Sequence, residues 1–175
     1  MKRLGLLRHA KSDWGESDKR DFDRGLNDRG RRGAKVIGSH ISGRDIAWDC
    51  VLASPAERVM RTLEHGLPQL APKWDRRLYL ASVETIIDVL RELDDAHETV
   101  LVAGHNPGLG DMVLELVQPR NENAHFAAAS SKFPTAAFAL FDLDVESWAK
   151  VRNGCGTLTH FKRPRDLDAE LGPEY

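Results

Sequence analysis

The sequence predicts an α/β fold with a mainly parallel β-sheet. Short apolar runs alternate along the chain with longer segments whose apolar residues recur at helical spacing. Capping residues and prolines stand where several of the helical segments begin. The length of 175 residues suits a single domain, residues 1–175, that buries a core without disulfides.

The composition is typical of a globular protein, and we expect a cytoplasmic location. Hydrophobic residues make up 41% of the chain, charged residues 30%, and the formal net charge is −2. No bulk charge therefore favours nucleic acid or a membrane surface as a partner. No secretion signal is evident, and no run approaches the roughly 18 apolar residues of a membrane span. We expect Cys50 and Cys155 to stay unpaired, and their spacing does not fit structural zinc.

The first half of the chain predicts two strand–helix pairs. Residues 2–7 form a short apolar strand, and a helix follows over about 27–42, with Gly43 at its end. Residues 50–53 form the second strand. The segment 54–57, Ser-Pro-Ala-Glu, has the pattern of a capping box with proline at the first helical position, so we expect the next helix to begin there.

The third strand, residues 99–103, has the strongest strand pattern in the chain. Before it, residues 74–80 suggest a short extended piece, and Ser82 caps an amphipathic helix. After it, Asn106 is a good N-cap and Pro107 a good first helical residue.

The last third of the chain has weaker patterns. Residues 119–133 read as a loop, and residues 136–143 and 156–162 as two further strands. We expect the strand at 136–143 to be antiparallel and to lie at an edge of the sheet. The acidic and polar tail from residue 164 onwards is expected to be loosely ordered.

Cationic and imidazole side chains follow all three of the strong strands. Arg8 and His9 come directly after the first strand, Arg58 follows the second strand by about one helical turn, and His105 ends the third. The carboxyl ends of parallel strands share one edge of a sheet, where ligands bind. We therefore expect these four side chains to converge, although they are far apart in sequence.

Such a set of side chains is suited to a phosphate group. Guanidinium groups match phosphate oxygens in a bidentate manner, and the start of the helix near Asn106 adds free N–H groups. A neutral imidazole can attack phosphorus, and cationic neighbours favour the neutral form by lowering its pKa. The second imidazole can then donate a hydrogen bond to the developing oxyanion charge.

The motifs that contain these residues resemble the histidine phosphatase superfamily, and most closely its SixA-type phosphohistidine phosphatase branch. The superfamily motifs are Arg-His-Gly, Ser-Pro-x-x-Arg-x-x-x-Thr and a late Gly-His, which match residues 7–10, 54–62 and 102–108. Features typical of the branch lie at residues 8–14, 21–27 and 132–135. Each motif alone is only moderately specific, but the three superfamily motifs in order, each at a strand end, are specific.

The resemblance implies a phosphoglycerate mutase-like, three-layer α/β/α sandwich with one antiparallel edge strand. It makes His9 the phosphorylated nucleophile, Arg8 and Arg58 the phosphate clamps, and His105 a stabiliser of the transferring group. Ser12 stands where related enzymes often place a substrate-contacting hydroxyl, and the helix start at Asn106 is a second candidate for substrate binding. It implies no metal and no other cofactor.

The sequence departs from the family pattern in two places and leaves the general acid open. Ala10 replaces the glycine of the first motif, and Arg61 stands where glutamine is common. Larger members carry a carboxylic acid that protonates an alkoxide leaving group, and here Glu84 and Asp13 are the only candidates that we single out. A missing acid would suit a phosphoramidate substrate, because imidazole is a much better leaving group than an alkoxide.

Three functions remain open from the sequence. The first is a metal-independent phosphatase whose substrate is either a phosphorylated protein of the histidine phosphotransfer type or a small phosphate ester. The second is an adaptor that binds phosphate without turnover, and the third is a mutase, which the short chain and the missing acid disfavour. The remaining histidines are expected to be structural or solvated: His40, His65, His97, His125 and His160.

Overall fold

The computed structural model describes residues 1–172, and within them six strands form one sheet. The strands are β1 (Lys2–Arg8), β2 (Cys50–Ala53), β3 (Lys73–Trp74), β4 (Thr99–Gly104), β5 (Phe138–Leu143) and β6 (Gly156–Lys162). Their order across the sheet is β3-β2-β4-β1-β5-β6. β4 pairs in parallel with both β1 and β2, and β3 pairs in parallel with β2. The predicted mainly parallel sheet is confirmed.

One strand, β5, runs against its neighbours, but it does not lie at an edge. It pairs antiparallel with β1 on one side and with β6 on the other, so the expectation of an edge position was wrong. The reason is visible in the side chains. Five of the six residues of β5 are buried, as in a strand with partners on both sides, whereas burial along β6 is interrupted as expected for an edge strand.

Helices cover both faces of the sheet, which gives the three layers that the resemblance implies. One face carries α1 (Asp28–Ser42) and α2 (Glu57–Gly66), and their apolar residues share a core with Leu7, Val51 and Leu101. The other face carries α3 (Val83–Arg91), α4 (Gly108–Leu116) and α5 (Ala124–Ser131), which share a core with Leu4 and Val102. A short helix, α6 (Pro164–Leu167), packs beside α1.

The first two helices meet in direct backbone contact. A Cβ atom on Gly38 of α1 would stand 2.0 Å from the carbonyl oxygen of Gly66 in α2, closer than any side chain can come. Only glycine allows this approach. The contact helps to fix α2, and with it Arg58, relative to the sheet.

Two predicted helix starts are confirmed, and two are shifted. The side chain of Asn27 accepts a hydrogen bond from the Gly30 N–H, and that of Ser82 accepts one from Thr85. By contrast, α2 begins at Glu57 with Ala56 as its N-cap, rather than at the predicted capping box. The hydroxyl oxygen of Ser54 accepts from the Ala56 N–H at 3.3 Å and lies 2.8 Å from His105 Nε2. α4 begins at Gly108, one residue later than expected, with Pro107 as its N-cap.

The predictions made from the weaker sequence patterns differ most from the structure. The predicted loop at 119–133 contains α5, whose N-cap Asn123 accepts a hydrogen bond from the Phe126 N–H. The extended piece at 74–80 is a short β3 followed by one 3-10 turn, Arg76–Leu78. The tail forms α6 and another 3-10 turn, Ala169–Leu171, while residues 173–175 lie outside the described part of the chain.

Two further observations concern the cysteines and the length and polarity of the helices. Cys50 and Cys155 are both buried and unpaired, as expected. Across residues 1–172, the helices are all too short or too polar to cross a membrane.

Candidate active site

The four residues that the sequence singles out lie around one pocket at the carboxyl ends of β1, β2 and β4. The pocket has a volume of about 290 Å³ and is lined by Arg8, His9, Arg58 and His105. The centroids of the two imidazole rings are 5.4 Å apart. Both histidines and Arg58 are almost completely buried. The predicted convergence of these side chains is therefore observed.

Hydrogen bonds fix the backbone that carries His9. The His9 N–H donates to the carbonyl oxygen of Gly104 at the end of β4. The N–H of Ala10 donates to the hydroxyl oxygen of Thr62 at 2.9 Å, and that hydroxyl donates to the Arg58 carbonyl at 2.7 Å. The buried threonine of the second motif thus connects the loop that carries His9 to the helix that carries Arg58.

The same loop packs tightly on the first turn of α1. A Cβ atom on Gly30 would stand 2.1 Å from the carbonyl oxygen of Lys11, and the Asn27 N–H donates to that oxygen. Ala10 is fully buried at this junction, so the small side chain that replaces the family glycine fits without enlarging the loop.

The geometry around His9 leaves one of its ring nitrogens free for attack. Its Nδ1 lies 2.7 Å from the carbonyl oxygen of Ala10. A carbonyl only accepts, so Nδ1 carries the hydrogen and Nε2 holds the lone pair. Burial lowers the pKa of His9 to about 3, and the charge of Arg8 adds to this effect. The ring is therefore neutral at physiological pH.

His105 has the opposite tautomer. Nη2 of Arg58 lies 3.3 Å from its Nδ1, and a guanidinium only donates, so Nδ1 accepts. Its Nε2 then carries the hydrogen and donates to the hydroxyl oxygen of Ser54 at 2.8 Å. Burial and the charge of Arg58 lower the pKa of His105 to about 4. A bound phosphate dianion would act in the opposite direction and favour a proton on Nδ1.

Arg8 has an unused hydrogen-bond donor inside the protein. Its Nη1 donates to the carbonyl oxygen of Phe133 at 3.1 Å, but its Nε is buried without a hydrogen-bond partner among residues 1–172. Burial and the neighbouring Arg58 lower its pKa. An anion in the pocket would compensate for the positive charges of Arg8 and Arg58 and would offer an acceptor to Nε of Arg8.

One carboxylate, Asp21, lines the pocket, and sequence reasoning missed it. Nη2 of Arg58 donates to its Oδ2 at 3.0 Å, and Nη1 donates to its backbone oxygen at 2.8 Å. The Tyr79 hydroxyl also donates to Oδ2, and the Tyr79 ring meets His105 edge to face. Burial alone would raise the pKa of Asp21, but the hydrogen bonds from Tyr79 and Arg58 outweigh it and lower the pKa. Asp21 is thus ionised, and it holds Arg58 in place.

A signal for Asp21 was present in the sequence but could not be interpreted. The residue belongs to the segment 21–27 that carries the branch resemblance. It is 37 positions from Arg58, in a 3-10 turn with no strand or long helix to place it. Nothing in its local pattern connects it to the pocket.

The two predicted substrate-binding residues also line the pocket, with different freedom to act. The hydroxyl oxygen of Ser12 accepts from Trp14 Nε1 at 3.1 Å, which leaves its hydrogen available to a ligand. The amide of Asn106 donates to the Phe133 carbonyl at 2.8 Å and accepts from the Gly110 N–H at 3.1 Å. Asn106 therefore supports the pocket wall through its oxygen and one of its two amide hydrogens.

Neither predicted general acid lies at the pocket. Glu84 is exposed near the start of α3, and the side chain of the exposed Asp13 accepts from the Gly15 N–H. Arg61 faces solvent and pairs with Glu57 and Glu64 at 2.7 Å, so this departure from the family adds no charge to the pocket. Within residues 1–172, no group of three or more His, Cys, Asp and Glu side chains could hold a metal ion.

Comparison with known proteins matches the sequence of this chain to one family and to a relative of similar length. A family model described as the histidine phosphatase superfamily, branch 1, matches residues 4–81. An uncharacterised protein of Mycobacterium tuberculosis is 34% identical over 160 residues, which are 91% of this chain and 100% of the relative.

Two solved structures share the fold over nearly their whole length. A candidate phosphohistidine phosphatase, SixA from Nakamurella multipartitia, has a TM-score of 0.82 and 27% identity, with 93% of this chain and 96% of that chain covered. The protein histidine phosphatase SixA complexed with tungstate has a TM-score of 0.76 and 23% identity, with 95% and 99% covered. The chain therefore belongs to the histidine phosphatase superfamily. Within that superfamily it is of the SixA type.

Proposed function

We propose that the protein is a metal-independent phosphatase that forms a phosphohistidine intermediate at His9 and removes phosphate from phosphohistidine on a signalling protein. The observation that carries this proposal is the free Nε2 of a neutral His9 in one pocket with Arg8, Arg58 and His105. Phosphoryl transfer depends mainly on such positioning and charge stabilisation.

The first step transfers the phosphoryl group to the enzyme. The lone pair of His9 Nε2 attacks phosphorus, the new N–P bond forms, and the bond to the substrate nitrogen breaks with its electron pair staying on that nitrogen. Arg8 and Arg58 hold the phosphoryl oxygens, and His105 donates a hydrogen bond to them when it carries a proton on Nδ1. Water then attacks phosphorus, and His9 leaves as the neutral ring with its Nδ1 hydrogen still directed at Ala10.

The pocket favours a nitrogen leaving group over an alkoxide. Asp21 is its only lining carboxylate among the described residues, and it is ionised by its hydrogen bonds from Tyr79 and Arg58. It therefore has no proton to give to an alkoxide. A substrate imidazole that carries a proton on its remote nitrogen departs as a neutral ring and needs no acid from the enzyme.

The comparisons support the same substrate class. The structure with the TM-score of 0.82 is named as a candidate phosphohistidine phosphatase, and a SixA structure contains tungstate, a tetrahedral oxyanion. We propose that the partner is a phosphorylated protein of the histidine phosphotransfer type. We also propose that the two proteins meet in the cytoplasm.

A substrate panel tests the proposal. The purified protein is assayed with a phosphorylated histidine phosphotransfer domain, para-nitrophenyl phosphate and a set of sugar phosphates, each with and without EDTA. We expect the phosphoprotein to have the highest kcat/KM and EDTA to have no effect. Faster turnover of the esters would assign the enzyme to small molecules instead. Phosphate binding without any turnover would identify an adaptor.

A further inference from the structure

A second pocket, with a volume of about 330 Å³, adjoins the catalytic pocket and is strongly basic. Lys11 and Thr135 line both pockets, so the two are adjacent. The second pocket, here called the basic pocket, is otherwise lined by small and apolar residues together with four more cations, Arg29, Lys132, Arg163 and Arg165. No Asp or Glu is among its lining residues in the described part of the chain.

Some of these cations are already engaged. Arg163 pairs with Asp166 at 2.8 Å, and Arg29 donates to the carbonyl oxygens of Glu170 and Gly172. The side chains of Lys11, Lys132 and Arg165, by contrast, make no hydrogen bond and no ion pair with any residue in 1–172. Three positively charged side chains at the basic pocket are therefore unpaired within residues 1–172.

The form of the basic pocket suggests which anion fits. Its volume is at the lower end for small-molecule sites, which are usually mostly apolar, whereas this pocket is rich in charge. Lys11 and Lys132 are exposed at its rim, where they can meet a convex protein surface. The catalytic pocket beside it takes the phosphoryl group. A substrate that fills both must therefore carry a second negative group close to its phosphate.

We propose that the basic pocket binds carboxylate side chains, Asp or Glu, that flank the phosphohistidine on the substrate protein. This inference rests on the proposed function, and it defines the partner more closely as a phosphoprotein with an acidic surface around its phosphorylated site. The free cations attract the acidic surface during encounter and set the register in which the phosphoryl group reaches His9.

A paired charge variant tests the proposal. Lys132→Ala/Arg165→Ala removes two free cations, neither of which lines the catalytic pocket. Its kcat/KM for a phosphorylated histidine phosphotransfer domain should fall about tenfold at low ionic strength and recover relative to wild type as salt is added. Its kcat/KM for para-nitrophenyl phosphate, which has no second anion, should stay within about twofold.

Lys150→Ala/Arg152→Ala is the matched control, because it removes the same two charge types near the start of β6, at the far end of the sheet. This control variant should leave kcat/KM unchanged for both substrates. An equal loss on both substrates in the Lys132/Arg165 variant, or no loss on the phosphoprotein at low salt, would overturn the proposal.

A binding measurement separates failure of this inference from failure of the proposed function. A fluorescent acidic peptide without phosphate is titrated into the His9→Ala variant, which cannot turn over. We expect binding that weakens in the Lys132/Arg165 background and not in the control background. If the peptide does not bind, or binds equally well in the Lys132/Arg165 background, the inference is wrong, whatever the phosphatase assay shows.

Discussion

Two groups of histidines in this protein have similar ring chemistry but different surroundings. His9 and His105 lie 5.4 Å apart in the pocket at the carboxyl ends of β1, β2 and β4, and His40 and His160 stack at 5.0 Å where α1 meets the edge strand β6. Burial lowers the pKa in both groups, to about 3 for His9 and to about 4 for His105 and His160. A lowered histidine pKa is therefore not by itself the mark of a site.

The difference lies in what each ring nitrogen meets. In the pocket, a carbonyl binds Nδ1 of His9 and leaves Nε2 free next to two arginines. At the sheet edge, Nε2 of His40 and Nε2 of His160 lie 2.8 Å apart and satisfy each other. The first arrangement leaves a ring nitrogen free beside two cations, as the proposed nucleophile requires, and the second joins a helix to a strand.

Removing an imidazole from each group should separate catalysis from structure. His9→Ala should lower kcat/KM for para-nitrophenyl phosphate by at least about 1,000-fold, because it deletes the nucleophile. His40→Ala is the control and should stay within about twofold. Steady-state kinetics with circular dichroism of both variants provides the measurement. Comparable losses in the two variants would remove the distinction between the groups.

The arginines of the pocket should matter through their geometry as well as their charge. Arg58→Lys keeps the charge but loses the planar donor pair, and we expect kcat/KM to fall about 100-fold. Arg61→Lys, one turn further along α2 and facing solvent, is the matched control. The comparison is made with the same ester substrate, and an active Arg58→Lys enzyme would mean that Arg58 does not clamp the phosphoryl group.

Replacing Asp21 should have a smaller effect than replacing Arg58, and it should strengthen phosphate binding instead of weakening it. Its carboxylate lies beside the predicted phosphate position, so Asp21→Asn removes a repulsive charge while keeping an oxygen that can accept from Arg58. The inhibition constant of inorganic phosphate should fall by about tenfold. Asp23→Asn in the same 3-10 turn serves as the control. Unchanged inhibition by phosphate in Asp21→Asn would show that Asp21 does not act on the anion.

The second histidine group should affect stability and not turnover. The pKa of His160 is about 4 in the folded chain against an ordinary value of 6.5, because the ring is buried and lies near Arg44. The unfolded chain therefore binds more protons between these values, and stability falls as pH drops from about 6.5 towards 4.

The variant His160→Asn removes this contribution. Its free energy of unfolding should decline less than that of the wild type between pH 7 and pH 5, as measured by urea denaturation. Turnover at neutral pH should be unaffected. The same decline in variant and wild type would mean that the pKa of His160 is not lowered.

The sequence was sufficient for the parts of the site that depend on strand ends. β1, β2 and β4 have clear apolar runs, and a parallel sheet places their carboxyl ends at one edge, so Arg8, His9, Arg58 and His105 could be assembled without coordinates. The apolar runs and the parallel direction of the strands were therefore enough to place these four residues together.

Features that depend on contacts between distant segments could not be predicted. The sequence pattern predicts Ser54 as a helix cap, but α2 begins at Glu57. The hydroxyl of Ser54 also lies 2.8 Å from His105 Nε2, a contact between distant segments that the local pattern does not encode. The pairing of Asp21 with Arg58 spans a polar segment without a repeating pattern. The internal position of β5 depends on strand order, which apolar runs do not encode.

Trapping the covalent intermediate shows whether His9 is the residue that attacks phosphorus. The enzyme is mixed rapidly with labelled phosphoprotein or ester, denatured at alkaline pH, where the N–P bond survives, and the modified residue is mapped by mass spectrometry. We predict one phosphorylated residue, His9, formed within a single turnover and absent in His9→Ala. A label on another residue, or full turnover by an enzyme that never becomes labelled, would contradict nucleophilic attack by His9.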